Sequence, residues 1–131
     1  MARTNVSDAA DLTIADVLHK QFEALPGDAT VADVREWFAV SSHRRMAFLA
    51  EDGRYAGSLT REDLEGDLDA QAPAAGVARN GPTVAPDASA HVGYELATQT
   101  DALRVPAVDR DGNLLGVVAV TNDRAGFCGT S

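Results

Sequence analysis

The chain has 131 residues with a formal net charge of −9, and hydrophobic and charged residues make up 45% and 24% of it. This is the composition of a soluble globular protein of one domain. The acidic balance argues against a nucleic-acid partner, which needs a clustered basic surface. No apolar run approaches the roughly 20 residues that span a bilayer, and the first residues lack the apolar core of a secretory signal. We therefore expect a cytoplasmic protein without a membrane partner.

Local signals predict the elements of the first forty residues: a flexible lead-in over 1–11, a short helix over 14–18, a brief strand over 22–25 and a longer helix capped by Thr30. In the longer helix, Val31, Val34, Trp37 and Phe38 follow the spacing of one helical face. We expect this face to lie in the core.

A β-hairpin is predicted next. Residues 46–50 form a short apolar run, which indicates a buried strand, and residues 55–59 form the returning strand. Between them Asp52-Gly53 is typical of a hairpin turn, because glycine adopts a positive φ without strain. Thr60-Arg-Glu-Asp63 then begins a short helix, since a threonine followed three residues later by an acid resembles a capping box.

The second half of the chain repeats the first at an offset of 59 residues. Gly53 and Gly57 return as Gly112 and Gly116, and Asp28-Ala-Thr30 returns as Asp87-Ala-Ser89. Landmarks that share one offset predict a duplicated supersecondary unit. The predicted boundaries are a first repeat over 12–66, a connector over 67–76, a second repeat over 77–127 and a tail over 128–131.

The second repeat is predicted to have the same β-α-β-β-α order: a strand at 83–85, a helix capped by Ser89, strands at 104–108 and 114–119, and a last helical turn near 121–124. Val34 of the first long helix corresponds to Gly93 of the second. A glycine inside a helix costs up to about 1 kcal/mol relative to alanine. We therefore expect a close helix approach at Gly93, within the chain or across a dimer.

Each repeat resembles a CBS domain, named after cystathionine β-synthase. The resemblance runs from about Thr13 to Phe127 and rests on ordered motifs: Val105-Pro106, Asp111-Gly112 and Gly116 in the second repeat, and Asp52-Gly53, Gly57, Thr60 and Asp63 in the first. It implies a mixed α/β (α+β) fold of two β-α-β-β-α repeats packed as a pseudo-twofold pair. It also implies a stand-alone regulatory module that forms a homodimer and binds an adenosine-containing ligand.

The residues of the first repeat suit such a ligand. The Asp63 carboxylate can accept from two ribose hydroxyls at once. Thr60 precedes a helix, whose free N–H groups favour a phosphate, and Gly57 would let the backbone approach a flat ring. Arg61 is the first candidate to neutralise phosphates, followed by His43, Arg44 and Arg45. The resemblance implies that Leu25, Met46 and Phe48 flank the base.

Plainer interpretations of the same residues stay open. Thr60 and Asp63 can form a helix cap and nothing more, and His43-Arg44-Arg45 can be a solvated charge cluster after a helix. In the second repeat, Ala119 and Asn122 stand where the first repeat has Thr60 and Asp63. Asn122 can still bond a ribose hydroxyl, but the missing threonine weakens the phosphate end. We therefore expect one competent site at most.

Two functions remain in competition. The first is a sensor that binds AMP, ADP, ATP or S-adenosylmethionine between its repeats and signals to an unidentified effector protein. The second is a degenerate CBS pair that only dimerises or docks on a partner protein. Catalysis is not expected, because no spacing suggests a nucleophile or an acid–base pair. Neither a metal nor a tightly bound cofactor is predicted, since His19, His43 and His91 lack ligand spacing and Cys128 is the only cysteine.

Overall fold

The computed structural model describes residues 4–5, 11–19, 24–42, 44–79 and 81–127. The chain divides into two compact units. The central unit lies within Glu23–Gly81, and the terminal unit combines the described residues before it with those from 82 onward. The predictions for His43, for Cys128 and for the tail over 128–131 lie outside the described residues.

In chain order, the regular elements of the described residues are β1 (Thr4–Asn5), α1 (Ile14–Val17), β2 (Leu25–Pro26), α2 (Val31–Ala39), β3 (Met46–Glu51), β4 (Arg54–Thr60), 3₁₀ turns at Arg61–Leu64 and Ala74–Gly76, α3 (Ala90–Thr98), β5 (Arg104–Val108), β6 (Leu114–Ala119) and β7 (Gly126–Phe127). This mixture of helices and sheets confirms the predicted α/β (α+β) fold class. None of the described helices is long and apolar enough to cross a membrane.

A three-stranded sheet organises the central unit. β3 lies in its middle, parallel to β2 and antiparallel to β4. The predicted hairpin turn is confirmed, since Asp52 and Gly53 have φ angles of 54° and 82°, which suit the two-residue turn that fits the twist of the strands. The core of the unit is formed largely by apolar side chains of α2, β3 and β4: Val31, Val34, Phe38, Ala47, Leu49 and Leu59.

The terminal unit is built on the β5–β6 hairpin. Where the short strand of the second repeat was predicted, Val84 makes a parallel bridge with Ala107. Asp109 organises the hairpin turn, because its carboxylate accepts from the backbone N–H groups of Asn113 and Asp111, both at 2.9 Å. The bonds from Asn113, followed by those from Asp111 and Gly112, hold the pKa of Asp109 below its ordinary value.

The last described residues differ from the prediction. The chain does not form a helical turn at 121–124 but bends back, and the Thr121 N–H donates to the Gly126 carbonyl at 2.9 Å. The Thr121 hydroxyl accepts from the Gly126 N–H at 3.2 Å, so it closes this bend instead of capping a helix. The bend leads into β7, which pairs with β1. Thr4 and Asn5, within the predicted flexible lead-in, are thus part of a strand.

Two stretches, residues 12–19 at the start of the predicted first repeat and residues 72–79 across the end of the predicted connector, take equivalent places in the two units. We call them the first and second flanking segments. They align at an offset of 60 residues, at which Ala15 and Val17 match Ala75 and Val77. The second segment continues the central unit, whereas the first lies in the terminal unit.

Backbone hydrogen bonds attach the second flanking segment at both ends. At its start, the Val31 N–H donates to the Ala72 carbonyl at 2.9 Å, and the Ala74 N–H donates to the Ala29 carbonyl at 2.9 Å. At its end, Ser58 and Arg79 exchange hydrogen bonds of 3.0 and 2.9 Å. The segment thereby satisfies a free donor at the beginning of α2 and covers the edge of β4.

The first flanking segment is attached in the same way. The Ala90 N–H donates to the Leu12 carbonyl at 2.9 Å, and the Ile14 N–H donates to the Ala88 carbonyl at 2.8 Å. His19 and Val117 then exchange bonds of 2.9 and 3.1 Å. The duplication seen in the sequence therefore includes the flanking segments.

The first flanking segment also explains the glycine in α3. A Cβ on Gly93 would lie 2.5 Å from the Cδ1 atom of Ile14 and 3.3 Å from a methyl of Val118. Ile14 is fully buried, so it cannot easily move away. In the central unit the equivalent positions hold Val34 and Ala74, both fully buried in one core. In each unit one large and one small residue meet at this contact. The large residue lies in the flanking segment of the terminal unit, as Ile14, and in the long helix of the central unit, as Val34.

Gly93→Ala is expected to lower the free energy of unfolding by about 1–2 kcal/mol, because overpacking outweighs the gain in helix propensity. Ile14→Val removes the crowded methyl, so the double variant should be more stable than the two separate losses predict. Chemical denaturation of the three variants measures both effects.

Gly76→Ala is the matched control, because nothing lies within 4 Å of the added Cβ. Its stability should stay within about 0.5 kcal/mol of the unmodified protein. Equal losses at Gly93 and Gly76 would contradict the packing explanation.

Candidate functional site

Asp63 lies in the 3₁₀ turn that follows β4. Its Oδ2 atom accepts from the Thr60 N–H at 2.8 Å and from the Thr60 hydroxyl at 3.2 Å. The Asp63 side chain is only 7% exposed. The predicted cap is therefore present, although the element is one 3₁₀ turn of four residues and not the α-helix that would concentrate a dipole.

The second oxygen of Asp63 is paired with Arg79. Oδ1 accepts from Arg79 Nε at 3.0 Å and lies 2.9 Å from Arg79 Nη2. Within the described residues both carboxylate oxygens therefore have partners: Oδ2 bonds to Thr60 and Oδ1 pairs with Arg79.

The backbone of Arg79 is fixed, whereas its side chain is 77% exposed. Besides the pairing of Arg79 with Ser58, the Tyr55 hydroxyl lies 3.4 Å from the Arg79 carbonyl and 3.3 Å from the Ser58 hydroxyl. Burial raises the pKa of Tyr55 above its ordinary value, so the phenol keeps its proton at neutral pH and can donate here. A cationic group is thus anchored beside Asp63 while its tip stays in solvent.

Some of the predicted site residues share one face of the central sheet. Met46 pairs with Thr60 and Phe48 pairs with Ser58, so their side chains lie on the same face. Phe48 is buried and Met46 is half-buried. This is the face opposite to the one that carries Ala47, Leu49 and Leu59 toward α2.

Leu25 and Gly57 belong to the α2 side. Both pair with Leu49, and Leu25 packs against the core that contains α2. Gly57 has a φ of 136°, which favours glycine, beside an irregularity in the hairpin. In the terminal unit, a Cβ on the equivalent Gly116 would lie 3.0 Å from the His19 carbonyl oxygen. The absence of a side chain at Gly116 therefore makes room for the first flanking segment.

Arg61 binds the end of α2 instead of facing Asp63. Its Nη2 atom donates to the carbonyl oxygens of Phe38 and Ser41 at 2.9 and 2.8 Å, and its guanidinium lies 4.9 Å from the centre of the Phe38 ring. Arg44 makes a similar contact, donating to the Trp37 carbonyl at 2.7 Å and stacking 4.5 Å from the Trp37 ring. The last carbonyls of a helix lack partners within it, which explains these positions.

The second repeat does not reproduce the Thr60–Asp63 arrangement. Asn122 is exposed in the bend between β6 and β7, where no helical turn is formed. Thr121 and Asp123 bond to each other at 2.5 Å and to backbone N–H groups of the same bend. Thr13 and Asp16 form a similar cap elsewhere in the terminal unit, with bonds of 2.8 and 3.0 Å, but within the described contacts the pairing of such a carboxylate with an arginine is found at Asp63. Within the described part of the chain, no three His, Cys, Asp or Glu side chains are grouped to hold a metal ion.

Arg79 is the site residue that the sequence analysis missed. It lies just beyond the predicted connector, in a stretch without apolar periodicity. The signal that would have found it is the match of residues 72–79 to residues 12–19 at an offset of 60, one more than the offset of the repeated motifs.

Solved structures resemble the chain, although no family model and no curated protein matches it. The CBS pair domain of a putative Mg²⁺ transporter from Shewanella oneidensis matches with a TM-score of 0.72 and 19% identity, over 82% of this chain and 64% of that one. CBSX2, a CBS-pair protein from Arabidopsis thaliana, matches with a TM-score of 0.68 and 16% identity, over 82% and 87%. The cytosolic domain of the Mg²⁺ channel MgtE in complex with ATP matches with a TM-score of 0.65 and 21% identity, over 79% and 44%.

The chain has the fold of a CBS pair. The resemblance inferred from the repeated motifs is thereby confirmed at the level of the fold. The chain spans less than two thirds of the Shewanella and MgtE chains that it matches. The three structures match the fold of this chain at identities of only 16–21%, so residue roles have to be argued from the contacts in this chain.

Arg61→Gln is expected to lower the free energy of unfolding by about 1 kcal/mol, because the carbonyls at the end of α2 lose a charged donor. Thermal or chemical denaturation measures the loss. Arg54→Gln removes the same charge from an exposed position at the start of β4 and should change stability by less than about 0.5 kcal/mol. A loss at Arg54 as large as that at Arg61 would show that net charge, and not the helix end, sets the effect.

Proposed function

We propose that this CBS pair is a regulatory module that binds an adenosine-containing ligand through Asp63 of the central unit. The ribose of AMP, ADP, ATP or S-adenosylmethionine presents two neighbouring hydroxyls, and a carboxylate can accept from both. The observation that carries the proposal is the Asp63 carboxylate, which is nearly buried yet paired with the exposed side chain of Arg79. This pairing is more than a helix cap requires.

The neighbouring residues support a flat ligand in the same place. Met46 and Phe48 share a sheet face with Thr60, so an apolar surface lies beside the polar turn. Leu25 packs in the core, Gly57 allows the local backbone conformation, and Arg61 binds the end of α2. These residues enter the proposal only because they support this surface. Asn122 is not part of it, because its bend lacks the turn that orients Asp63.

The comparison with MgtE supports the ligand class, since that cytosolic CBS-containing domain was solved with ATP. We extend the proposal to the setting expected from the sequence: a cytoplasmic module that forms a homodimer and signals to a separate effector protein. The ligand would favour one conformation of the module over another, and the effector would respond to that shift. No catalytic step is part of this function.

A degenerate docking module is the second candidate. The observation that favours it is the loss of the Thr60–Asp63 arrangement in the second repeat, where a bend and β7 replace the turn. A module of this kind would retain its fold without any nucleotide. The ligand experiment below separates the two candidates.

Asp63→Ala is expected to weaken nucleotide binding at least tenfold, because the ribose loses both of its charged acceptors. Isothermal titration of the ligand-stripped protein with AMP, ADP, ATP and S-adenosylmethionine measures the affinities. We expect binding in the micromolar range for at least one of the four compounds.

Asp33→Ala is the matched control. Asp33 forms a similar cap with Thr30 in the same unit: its carboxylate accepts from the Thr30 N–H at 3.0 Å, and its own N–H donates to the Thr30 hydroxyl at 3.2 Å. Asp33 has no arginine partner in the described contacts. Loss of either cap should cost about 1 kcal/mol of stability, but only the Asp63 variant should lose the ligand. No binding to the unmodified protein, while it is folded, would favour the docking module.

A further inference from the structure

The Asp63–Arg79 pair has a consequence for ligand binding, because both carboxylate oxygens already have partners. Thr60 bonds to Oδ2 from within the same turn, and Arg79 pairs with Oδ1 from the second flanking segment. A ribose that bonds to both oxygens has to compete with Arg79 for Oδ1. In the structure without a ligand, this part of the site is therefore occupied by the protein's own side chain.

Of the two donors, Arg79 is the one that can leave. Thr60 is held at the end of β4 by its pairing with Met46, and its N–H is part of the turn itself. The Arg79 side chain is 77% exposed, and its guanidinium makes its described contacts with Asp63 only. Its backbone stays paired with Ser58, so the released side chain remains tethered next to the site.

We propose that Arg79 exchanges partners when a nucleotide binds: it leaves Asp63 to the ribose hydroxyls and pairs with the phosphate of the same ligand. This inference rests on the proposed function and makes it more specific, since it assigns the ligand to the phosphate-bearing adenosine compounds. An arginine fork bonds a phosphate in the same geometry as a carboxylate, so the exchange replaces one charged pair by another. A neutral nucleoside breaks the pair without replacing it.

The exchange also accounts for phosphate recognition in a site where two of the other candidate cations are engaged elsewhere. Arg61 and Arg44 bond to carbonyls at the end of α2. The 3₁₀ turn is too short to offer a strong dipole. In the described contacts, Arg79 is the arginine that pairs with Asp63. A ligand whose ribose bonds to Asp63 therefore brings its phosphate close to Arg79.

The test compares AMP with adenosine in the unmodified protein and in Arg79→Gln by calorimetric titration. Adenosine should bind about fivefold more tightly to the variant, because it no longer has to break the ion pair. The preference for AMP over adenosine should fall at least tenfold, because the phosphate loses its partner. Arg54→Gln, with the same change in charge, should leave both quantities within twofold.

The outcomes distinguish the exchange from the proposed function. If AMP binds in an Asp63-dependent manner but Arg79→Gln changes neither the adenosine affinity nor the preference, the function stands and the exchange is overturned. If neither protein binds AMP or adenosine, both are overturned. If Arg79→Gln tightens the binding of adenosine and of AMP by the same factor, the closing role of Arg79 is supported and its phosphate role is overturned.

A second measurement needs no substitution. The side-chain Nε–Hε signal of Arg79 in an NMR spectrum of the unmodified protein reports whether this group is bonded or free. Adenosine should expose it to rapid solvent exchange, whereas AMP should shift the signal and keep it protected. An Arg79 signal that stays unchanged on saturation with AMP would overturn the exchange.

Discussion

The attachment of the flanking segments is the constraint on which the rest of the structure depends. In the central unit, one end of the segment is bonded to the beginning of α2 and the other end to β4. A helix start and a sheet edge both carry unpaired backbone groups, and this single stretch satisfies groups of both kinds. Because the attachment ends at Arg79, it also fixes the position from which that side chain reaches Asp63. The hydrogen bonds that stabilise the central unit thus also fix the geometry of the site.

A comparison of the two units shows which positions of the duplicated fold tolerate substitution. Four backbone bonds of each flanking segment correspond, yet the side chains at matching places differ: Ile14 against Gly93 in one unit, Ala74 and Val34 in the other. Close packing requires only that the pair fills the available volume, so the sizes can be interchanged. The polar site has no such freedom. After β6 a bend replaces the turn, and the Thr13–Asp16 cap of the terminal unit has no arginine partner in the described contacts.

Local signals in the sequence predicted most of the fold, because caps, hairpin turns and helical periodicity are decided by neighbouring residues. Thr30 caps α2, and Asp52-Gly53 turns between β3 and β4, as expected. The second flanking segment was not predicted, since its short 3₁₀ turn is held by partners distant in sequence and has no apolar period of its own. In the first segment, the short helix predicted over 14–18 is found as α1. Arg61 directly follows β4 and was assigned to phosphates for its charge alone. The unpaired carbonyls at the end of α2, distant in sequence, compete for that charge and hold it.

Asp63 illustrates how a residue can be both a cap and a binding group. One oxygen stabilises the turn, so the carboxylate keeps its orientation whether or not a ligand is present. The other faces a cation that belongs to a different segment. In a chain with a net charge of −9, an anionic ligand approaches against the overall field, and a local cation is needed to hold it. In the proposed exchange, the pairing of that cation with Asp63 in the free protein keeps both charges compensated until the ligand provides the phosphate. The acidic character that argued against nucleic acids therefore favours the proposed site, in which Arg79 is paired with Asp63 until a phosphate replaces the carboxylate.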